Sequence, residues 1–331
     1  MNQKYSKPKV LFIGGSVNQT SICHAIAKHL TAGCDCYFTP YYVDSAFGKL
    51  IQKTGLLDFT VLGGQFRKNT DRYLQSNKLP VDYGGERFNY DLVVTTSDLV
   101  IQKNIRSNKI VLVQEGMTDP ENLLFPLVRK FKLPPYLTLN TSAFGLSDAY
   151  DYFCVASNGY RQLFINKGVN PQKIVVTGIP NFDDFARYLK NDFPYNGYLL
   201  AATSDLRETK RLDNRNQFIR SVLSLAGNRK IIFKLHPNEK VDRAVSEIKA
   251  IAPEAIIYSE GNTNHMVANC DILVTQYSSV TYMGIIMGKQ VYSYYDTELL
   301  RKLAPIQNGG HSGKFIANVC TRLINRERKA G

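Results

Sequence analysis

Short runs of β-branched and aromatic residues alternate with helix-length amphipathic stretches along almost the whole chain, and nothing else in the sequence constrains the fold as much. This is the pattern of βαβ units, because parallel strands cannot be joined by a tight turn and need a crossover, usually a helix. Strand-like runs fall at 9–13, 35–41, 57–62, 91–95, 109–113, 152–156 and 173–177. Helices are expected at 20–30 and 158–167, the second ended by Gly168. The stretch from Gly178-Ile179-Pro180-Asn181-Phe182-Asp183 to Pro194-Tyr195-Asn196-Gly197 breaks the rhythm and leaves room for a short helix inside it. The pattern then restarts, with strands at 198–203, 230–235, 255–259, 271–275 and 290–294. Helices fit around 213–226, 241–251, 263–269 and 279–287, and a last one at about 313–326 follows a Gly-rich loop.

A chain of 331 residues has material for about two cores. The expected fold class is α/β, with two Rossmann-like domains facing a cleft. The expected parts are an N-terminal domain at 1–178, an interdomain segment at 179–197, a second domain at 198–311, and a C-terminal helix with a basic tail at 312–331. No tandem repeat or low-complexity tract interrupts them. The chain is 44% hydrophobic and 11% aromatic, too apolar for a disordered or fibrous protein. No apolar run approaches the ~18–20 residues of a membrane span. The opening residues, Met1-Asn2-Gln3-Lys4-Tyr5, lack a signal peptide's apolar segment. Six cysteines, mostly inside apolar runs, suit reduced core thiols. The expected setting is therefore cytoplasmic.

Lys and Arg total 41 against 28 Asp and Glu, a net charge of +13. Such a field attracts nucleic acid, nucleotide phosphates or an anionic membrane leaflet. The bases are dispersed, and no RNA-binding motif, recognition helix or zinc finger accompanies them, so no nucleic-acid partner is expected. Several catalytic signatures are also missing. Gly14-Gly15-Ser16-Val17-Asn18 after the first strand is too short for a dinucleotide fingerprint. Gly309-Gly310-His311-Ser312-Gly313-Lys314-Phe315 fails as a P-loop, with Asn308 at the first glycine position and Phe315 at the magnesium ligand. His24 and His29 lie on different helix faces, and Cys34 and Cys36 point to opposite faces of a strand. No metal site and no cofactor are expected.

The strongest local signal is Lys234-Leu235-His236-Pro237-Asn238 at a strand end. Ligands of open α/β sheets bind at the carboxyl ends of strands. Pro237 stops the strand and holds the His236 imidazole outward, where it can donate to a phosphate oxygen. Asp271-Ile272-Leu273-Val274-Thr275-Gln276-Tyr277-Ser278-Ser279 then runs from a strand into a helix, offering two hydroxyls and free N–H groups to an anion. Plain N-capping by Ser278 is the simpler account of the same residues. Gly284, and Gly288 before Lys289-Gln290-Val291, allow close packing of helix on strand.

Strand-His-Pro followed by strand-Tyr-Ser-Ser-helix-Gly-Lys resembles the carboxyl-terminal half of bacterial GT-B glycosyltransferases of the capsule and wall-polymer type. These include CDP-glycerol glycerophosphotransferases and the sialyl-, polysialyl- and Kdo-transferases that use CMP-sugars. Residues 173–183 are similar to the interdomain segment of those enzymes and of UDP-GlcNAc 2-epimerases. The motif-level resemblance spans about residues 173–292, and the first half matches mainly in pattern. It implies that His236, Pro237, Ser278 and Ser279 contact the nucleotide and its phosphates. Gln276 departs from the Asp of the glycerophosphotransferase block, which argues against glycerol phosphate as the transferred group.

In the first domain, Val111-Leu112-Val113-Gln114-Glu115-Gly116 is similar to the acidic-acidic-Gly motif of bacterial sialyltransferases, with Gln114 replacing one acid. Glu115 is the candidate base for an acceptor hydroxyl, Gly116 the turn that exposes it, and Asp119 the alternative base. A capping or solvated glutamate fits the position as well. Gly14, Gly15 and Ser16 should line the same cleft. Thr203 and Ser204, with Arg207, Lys210 and Arg211 behind them, are candidates for neutralising a diphosphate or an anionic acceptor. Tyr258 to Glu260 would meet the base and ribose. Between Leu123 and Tyr136, apolar residues interleave with Arg129, Lys130 and Lys132. This reads as a segment dipping into an anionic leaflet, or equally as a buried helix with a basic edge.

The expected activity is inverting, metal-independent transfer of a sugar or sugar acid from a CMP-, CDP- or UDP-linked donor to a glycan or lipid-linked acceptor. It would take place on the inner membrane face. A UDP-GlcNAc 2-epimerase-like enzyme is the rival, and a basic nucleic-acid-binding or scaffolding protein is the alternative of another class.

Overall fold

The computed structural model describes residues 6–44, 61–138, 140–209 and 211–330, with side chains through Arg326. Two compact units result: residues 1–183 with 306–331, and residues 184–305. The chain leaves the first unit at Asp183 and returns to it at Ile306.

The first unit carries a six-stranded, all-parallel sheet: β1 (Lys9–Gly14), β2 (Asp35–Pro40), β3 (Leu92–Thr95), β4 (Ile110–Val113), β5 (Tyr152–Val155) and β6 (Ile174–Val176), in the order β2-β1-β3-β4-β5-β6. All four residues of β3 and of β4 are buried, as expected where helices cover both faces of a sheet. Helix α1 (Val17–Ala27) starts at Ser16, whose hydroxyl accepts the Gln19 N–H at 3.1 Å. Helices α2 (Gly64–Ser76), α3 (Phe125–Phe131) and α4 (Asn158–Lys167) follow, and Gly168 ends α4 at φ 110°. The long final helix α10 (Ser312–Ala330) packs on α1, and Ile316, Cys320 and Leu323 enter the same core as Phe12, Ile22 and Ile26. A Cβ on Gly313 would come within 2.9 Å of the Ala25 carbonyl, so the two helices meet backbone to backbone.

The second unit carries β7 (Tyr198–Ala202), β8 (Ile231–Lys234), β9 (Ile256–Tyr258), β10 (Cys270–Thr275) and β11 (Gln290–Tyr292), again all parallel, in the order β11-β10-β7-β8-β9. Helices α5 (Arg215–Ala226), α6 (Val241–Ile251), α7 (Thr263–Asn269), α8 (Val280–Ile286) and α9 (Thr297–Leu303) cross over between and after the strands. Phe218, Val222, Phe233, Ile248 and Val274 are among the buried residues of its core. The α/β class with two Rossmann-like sheets thus stands as expected. The strand expected at 57–62 falls mostly outside the described residues, as does Lys210. All six cysteines are buried free thiols. Among the described residues no helix is long and apolar enough to cross a membrane, and no group of three His, Cys, Asp or Glu side chains could hold a metal ion.

Strand order locates the sites. In the second sheet the chain runs from β7 through β8 to β9 on one side, then crosses back to β10 and β11 on the other. The switch point lies between β7 and β10, the place where diverging loops of open α/β sheets form a crevice at the carboxyl ends. In the first sheet the same reversal occurs between β1 and β3.

Candidate functional site

His236 follows β8 and is half-buried, with 34% of its side chain exposed. Its ring is oriented from below. The Asn238 N–H donates to Nδ1 at 3.2 Å, and Asn238 Nδ2 donates to Asp205 Oδ2 at 2.9 Å. With Nδ1 an acceptor, the neutral ring carries its proton on Nε2, which becomes the outward donor. Asp205 Oδ2 lies 3.7 Å from Nδ1 and would hold the ring if it were protonated. The loop backbone is pinned as well, since the His236 N–H donates at 3.0 Å to both Thr203 Oγ1 and Glu239 Oε2.

Glu239 is the hub of an interior network that the sequence did not disclose. Its carboxylate also accepts from the Thr203 hydroxyl and from Arg215. Arg215 Nε reaches Asp213 Oδ2 at 3.2 Å, Arg207 Nε lies 3.3 Å from the same oxygen, and Gln276 Nε2 donates to Asp213 Oδ1 at 2.7 Å. Residues at the ends of β7, β8 and β10 and at the start of α5 are therefore tied through two buried carboxylates. One signal was available in the sequence: Arg215 opens a helix, where a cation opposes the dipole unless a tertiary partner holds it.

This network changes the parts assigned to several residues. Thr203 and Ser204 were expected to face a phosphate. Both are buried; Thr203 is bonded to Glu239 and the His236 N–H, and Ser204 Oγ reaches the Tyr277 carbonyl at 3.5 Å, so they brace the loops from beneath. Arg207 is bound by Glu247 through both terminal nitrogens at 2.7 Å and is occupied structurally. At the other lip of the crevice, Ser279 precedes α8, is exposed, and makes no side-chain capping bond. Ser278 Oγ accepts the Val280 N–H at 3.3 Å, the capping part the simpler account gave it. Gly284 is close-packed, because a Cβ there would meet Leu273 Cδ2 at 2.5 Å. Tyr258 packs against Phe193 with centroids 5.5 Å apart, at the edge strand away from the switch point, and Glu260 beyond it is exposed. The exposed rings of Tyr277 and Tyr294 meet edge-to-face at 5.5 Å beside Ser278 and Ser279, an aromatic surface the sequence reading missed.

In the first unit, Glu115 follows β4 and sits over the N-terminal turn of α1. Asn18 Nδ2 donates to Oε1 at 2.9 Å, Gln19 Nε2 to Oε2 at 2.7 Å, and Ser16 Oγ approaches Oε1 at 3.5 Å. Gln19 Oε1 in turn accepts the Gly15 N–H at 2.6 Å. The glycines let the strand end come this close: a Cβ on Gly14 would meet Thr20 Oγ1 at 2.8 Å, and one on Gly15 would meet Val61 Cβ at 2.7 Å. Gly14, Gly15, Ser16 and Glu115 therefore do converge. The carboxylate, and not an outside anion, fills the mouth of α1. Gly116 is not demanded by the turn, since it lies outside the left-handed region and a Cβ there would make an ordinary 3.7 Å contact with Phe182. Gln114 is a buried staple, donating to the Gly116 carbonyl at 2.7 Å and accepting the Ala156 N–H at 2.9 Å. Asp119 is engaged by Thr141, whose hydroxyl donates to it at 2.8 Å and whose N–H does so at 3.1 Å.

The segment around α3 buries Phe125 and Val128 and exposes Leu123, Leu124, Leu127, Phe131, Leu133, Tyr136 and Leu137, so only one side of it is buried.

No protein-family model and no curated protein matches the sequence. Solved structures do match in fold. UDP-GlcNAc 2-epimerase from Neisseria meningitidis bound to UDP-GlcNAc is 13% identical over 95% of this chain and 100% of that one, with a TM-score of 0.57. The S. aureus MnaA–UDP co-structure is 12% identical over 96% of this chain and 97% of that one, with a TM-score of 0.60. The wall teichoic acid polymerase TagF with CDPG is 12% identical over 97% of this chain and 89% of that one, with a TM-score of 0.50. At such identity the likeness is one of fold: a two-domain α/β architecture of the GT-B kind.

Proposed function

We propose that this protein is an inverting glycosyltransferase that moves a sugar or sugar acid from a CMP-, CDP- or UDP-linked donor to a glycan or lipid-linked acceptor. The observation that carries the reading is His236: a ring held as an Nε2–H donor at the carboxyl end of β8, on a loop anchored from below by Glu239 and Thr203. In this reading Nε2–H and the Ser279 hydroxyl meet the donor's phosphate, while Tyr277 and Tyr294 offer their faces to the base. Glu115 takes the proton of the acceptor hydroxyl as its oxygen bonds to the anomeric carbon. The bond from that carbon to the phosphate oxygen breaks, and the nucleotide leaves with the electron pair, stabilised by His236. Structures of this fold bound to UDP-GlcNAc, UDP and CDPG support a nucleotide-linked ligand.

A second reading, a UDP-GlcNAc 2-epimerase-like reaction, is favoured by the higher TM-score of the Neisseria meningitidis epimerase, 0.57 against 0.50 for TagF. Incubation of the purified chain with UDP-GlcNAc alone, and with CMP-, CDP- and UDP-linked donors plus a glycan acceptor, separates the two. Transfer that depends on the acceptor supports the proposal. Release of UDP with N-acetylmannosamine from UDP-GlcNAc alone supports the epimerase, and neither product from any donor overturns both.

A further inference from the structure

The first unit holds a cavity whose lining does not include Glu115. It measures about 870 Å³, and Arg106, Arg129, Lys132 and Lys167 converge on it against walls that include Leu99 and Val169. Its two carboxylates are already engaged. Asp98 accepts the N–H groups of Gly145 and Ser147 at 2.9 and 3.1 Å, and Asp148 pairs with Lys173 at 2.7 Å. Among the described residues none of the four cations forms a salt bridge. Lys167 is the most telling of them. It is 96% buried, and its ammonium donates to the Ser142 carbonyl at 2.7 Å and lies 5.4 Å from the centre of the Phe125 ring. Burial pulls it below the ordinary lysine range against the opposing pull of the Glu121 and Asp119 carboxylates, neither of which is within salt-bridge distance. A buried cation without a carboxylate partner is costly unless an anion joins it.

The rim of this cavity is the α3 segment. Of eighteen exposed large apolar side chains among the described residues, seven lie between Leu123 and Leu137; Leu123 is 94% exposed and Phe131 61%. Arg129, Lys132, Leu133 and Tyr136 belong to the cavity wall and to this segment at once. Apolar side chains facing outward beside a pocket whose cations form no salt bridge complement one kind of surface, an apolar layer under a sheet of phosphates. We propose that α3 lies in the interface of an anionic bilayer and that the cavity behind it takes the phosphate-bearing head group of a membrane lipid. The inference rests on the first unit alone and goes beyond the transfer reaction.

The test is sedimentation of the full chain with vesicles of phosphatidylcholine alone and of equal parts phosphatidylcholine and phosphatidylglycerol, without nucleotide. Its failure would therefore leave the transferase reading standing, and the reverse holds too. Three double variants are compared, each checked for fold by circular dichroism: Arg129→Ala/Lys132→Ala in the cavity, Leu127→Asp/Phe131→Asp on the rim, and Arg301→Ala/Lys302→Ala in the other unit as a control for charge. The wild type should bind the anionic vesicles, less as salt rises. The cavity variant should lose affinity by about fivefold for each cation removed. The rim variant should lose at least as much, and the control should stay near wild type. Equal binding to both vesicle types, or equal loss in cavity and control variants, would overturn the proposal. So would a rim variant that still binds anionic vesicles like wild type while inorganic phosphate competes, since that result would assign the cavity to a soluble anion.

Discussion

Glu239→Ala should destabilise the second unit by about 3–5 kcal/mol at neutral pH, the usual cost of removing one partner from a buried ion pair. The magnitude follows from what stays behind. The Arg215 side chain is 3% exposed, and without Glu239 it keeps Asp213 and a long 3.5 Å contact to the Ser204 carbonyl. Asp213 is itself shared with Arg207 and Gln276, and Arg215 Nη1 is already buried without a partner. The lost bonds from Thr203 and from the His236 N–H add about 0.5–1.5 kcal/mol each, so the orphaned cation dominates. If so, Glu239→Ala combined with Arg215→Met should be less damaging than Glu239→Ala alone, because the second change removes the charge that had lost its partner. Urea titration followed by circular dichroism reads both variants. The two units need not unfold together, so the comparison uses whichever transition moves. A loss below about 1 kcal/mol for Glu239→Ala, or a double variant as damaged as the sum of the singles, would refute the assignment of Glu239 as the hub.

Glu115→Gln should lower transfer by ~10²–10⁴-fold with nucleotide affinity nearly unchanged, since general-base work is felt only in the transition state. The amide places an N–H₂ against Asn18 or Gln19, costing about one hydrogen bond locally, so rate and stability are measured on the same preparation. Near-normal transfer would remove Glu115 from the chemistry. Gly178→Ala should cost about 1–3 kcal/mol in the first unit: Gly178 sits at φ 71°, and a Cβ would strike Ser312 Oγ at 2.4 Å and Asn308 Nδ2 at 2.6 Å. An unchanged melting temperature would contradict this. The Arg207 guanidinium holds the Glu247 carboxyl below its ordinary value of 4.5. A carboxylate depressed on folding contributes stability that is present above its unfolded value and lost as pH falls through its folded one. Wild type and Glu247→Gln should therefore differ in urea stability at neutral pH and converge in acid, and a gap independent of pH would contradict the pairing.

The strands were legible because buried parallel strands are written as short continuous apolar runs, and their observed ends fall within about two residues of the expected ones. Two helices were not legible. Gly64–Ser76 buries only Thr70 and Leu74 and so shows no apolar stripe, and Thr297–Leu303 is a seven-residue helix announced by little besides its Asp296 cap. His236 stood out because a proline right after a strand fixes an exposed turn. The burial of Thr203 and Ser204 did not, because it depends on Glu239 and Arg215 arriving from other elements. Those two residues are 24 positions apart, and no local pattern couples them. The sequence around α3 fitted a buried and an interfacial helix equally well. That Phe125 and Val128 are buried while Leu123, Leu124 and Leu127 are exposed depends on which neighbours the fold brings to the segment, a property of tertiary structure alone.

The most direct test of the central claim is titration calorimetry of CMP, CDP, UDP and GDP into the wild type and into His236→Ala. If the His236 Nε2–H donates to a nucleotide phosphate, at least one nucleotide binds the wild type, and the variant binds it more weakly by about 1.5–3 kcal/mol, roughly 10- to 150-fold in Kd. A folded His236→Ala protein with unchanged affinity, or a wild type that binds none of the four, would contradict the account.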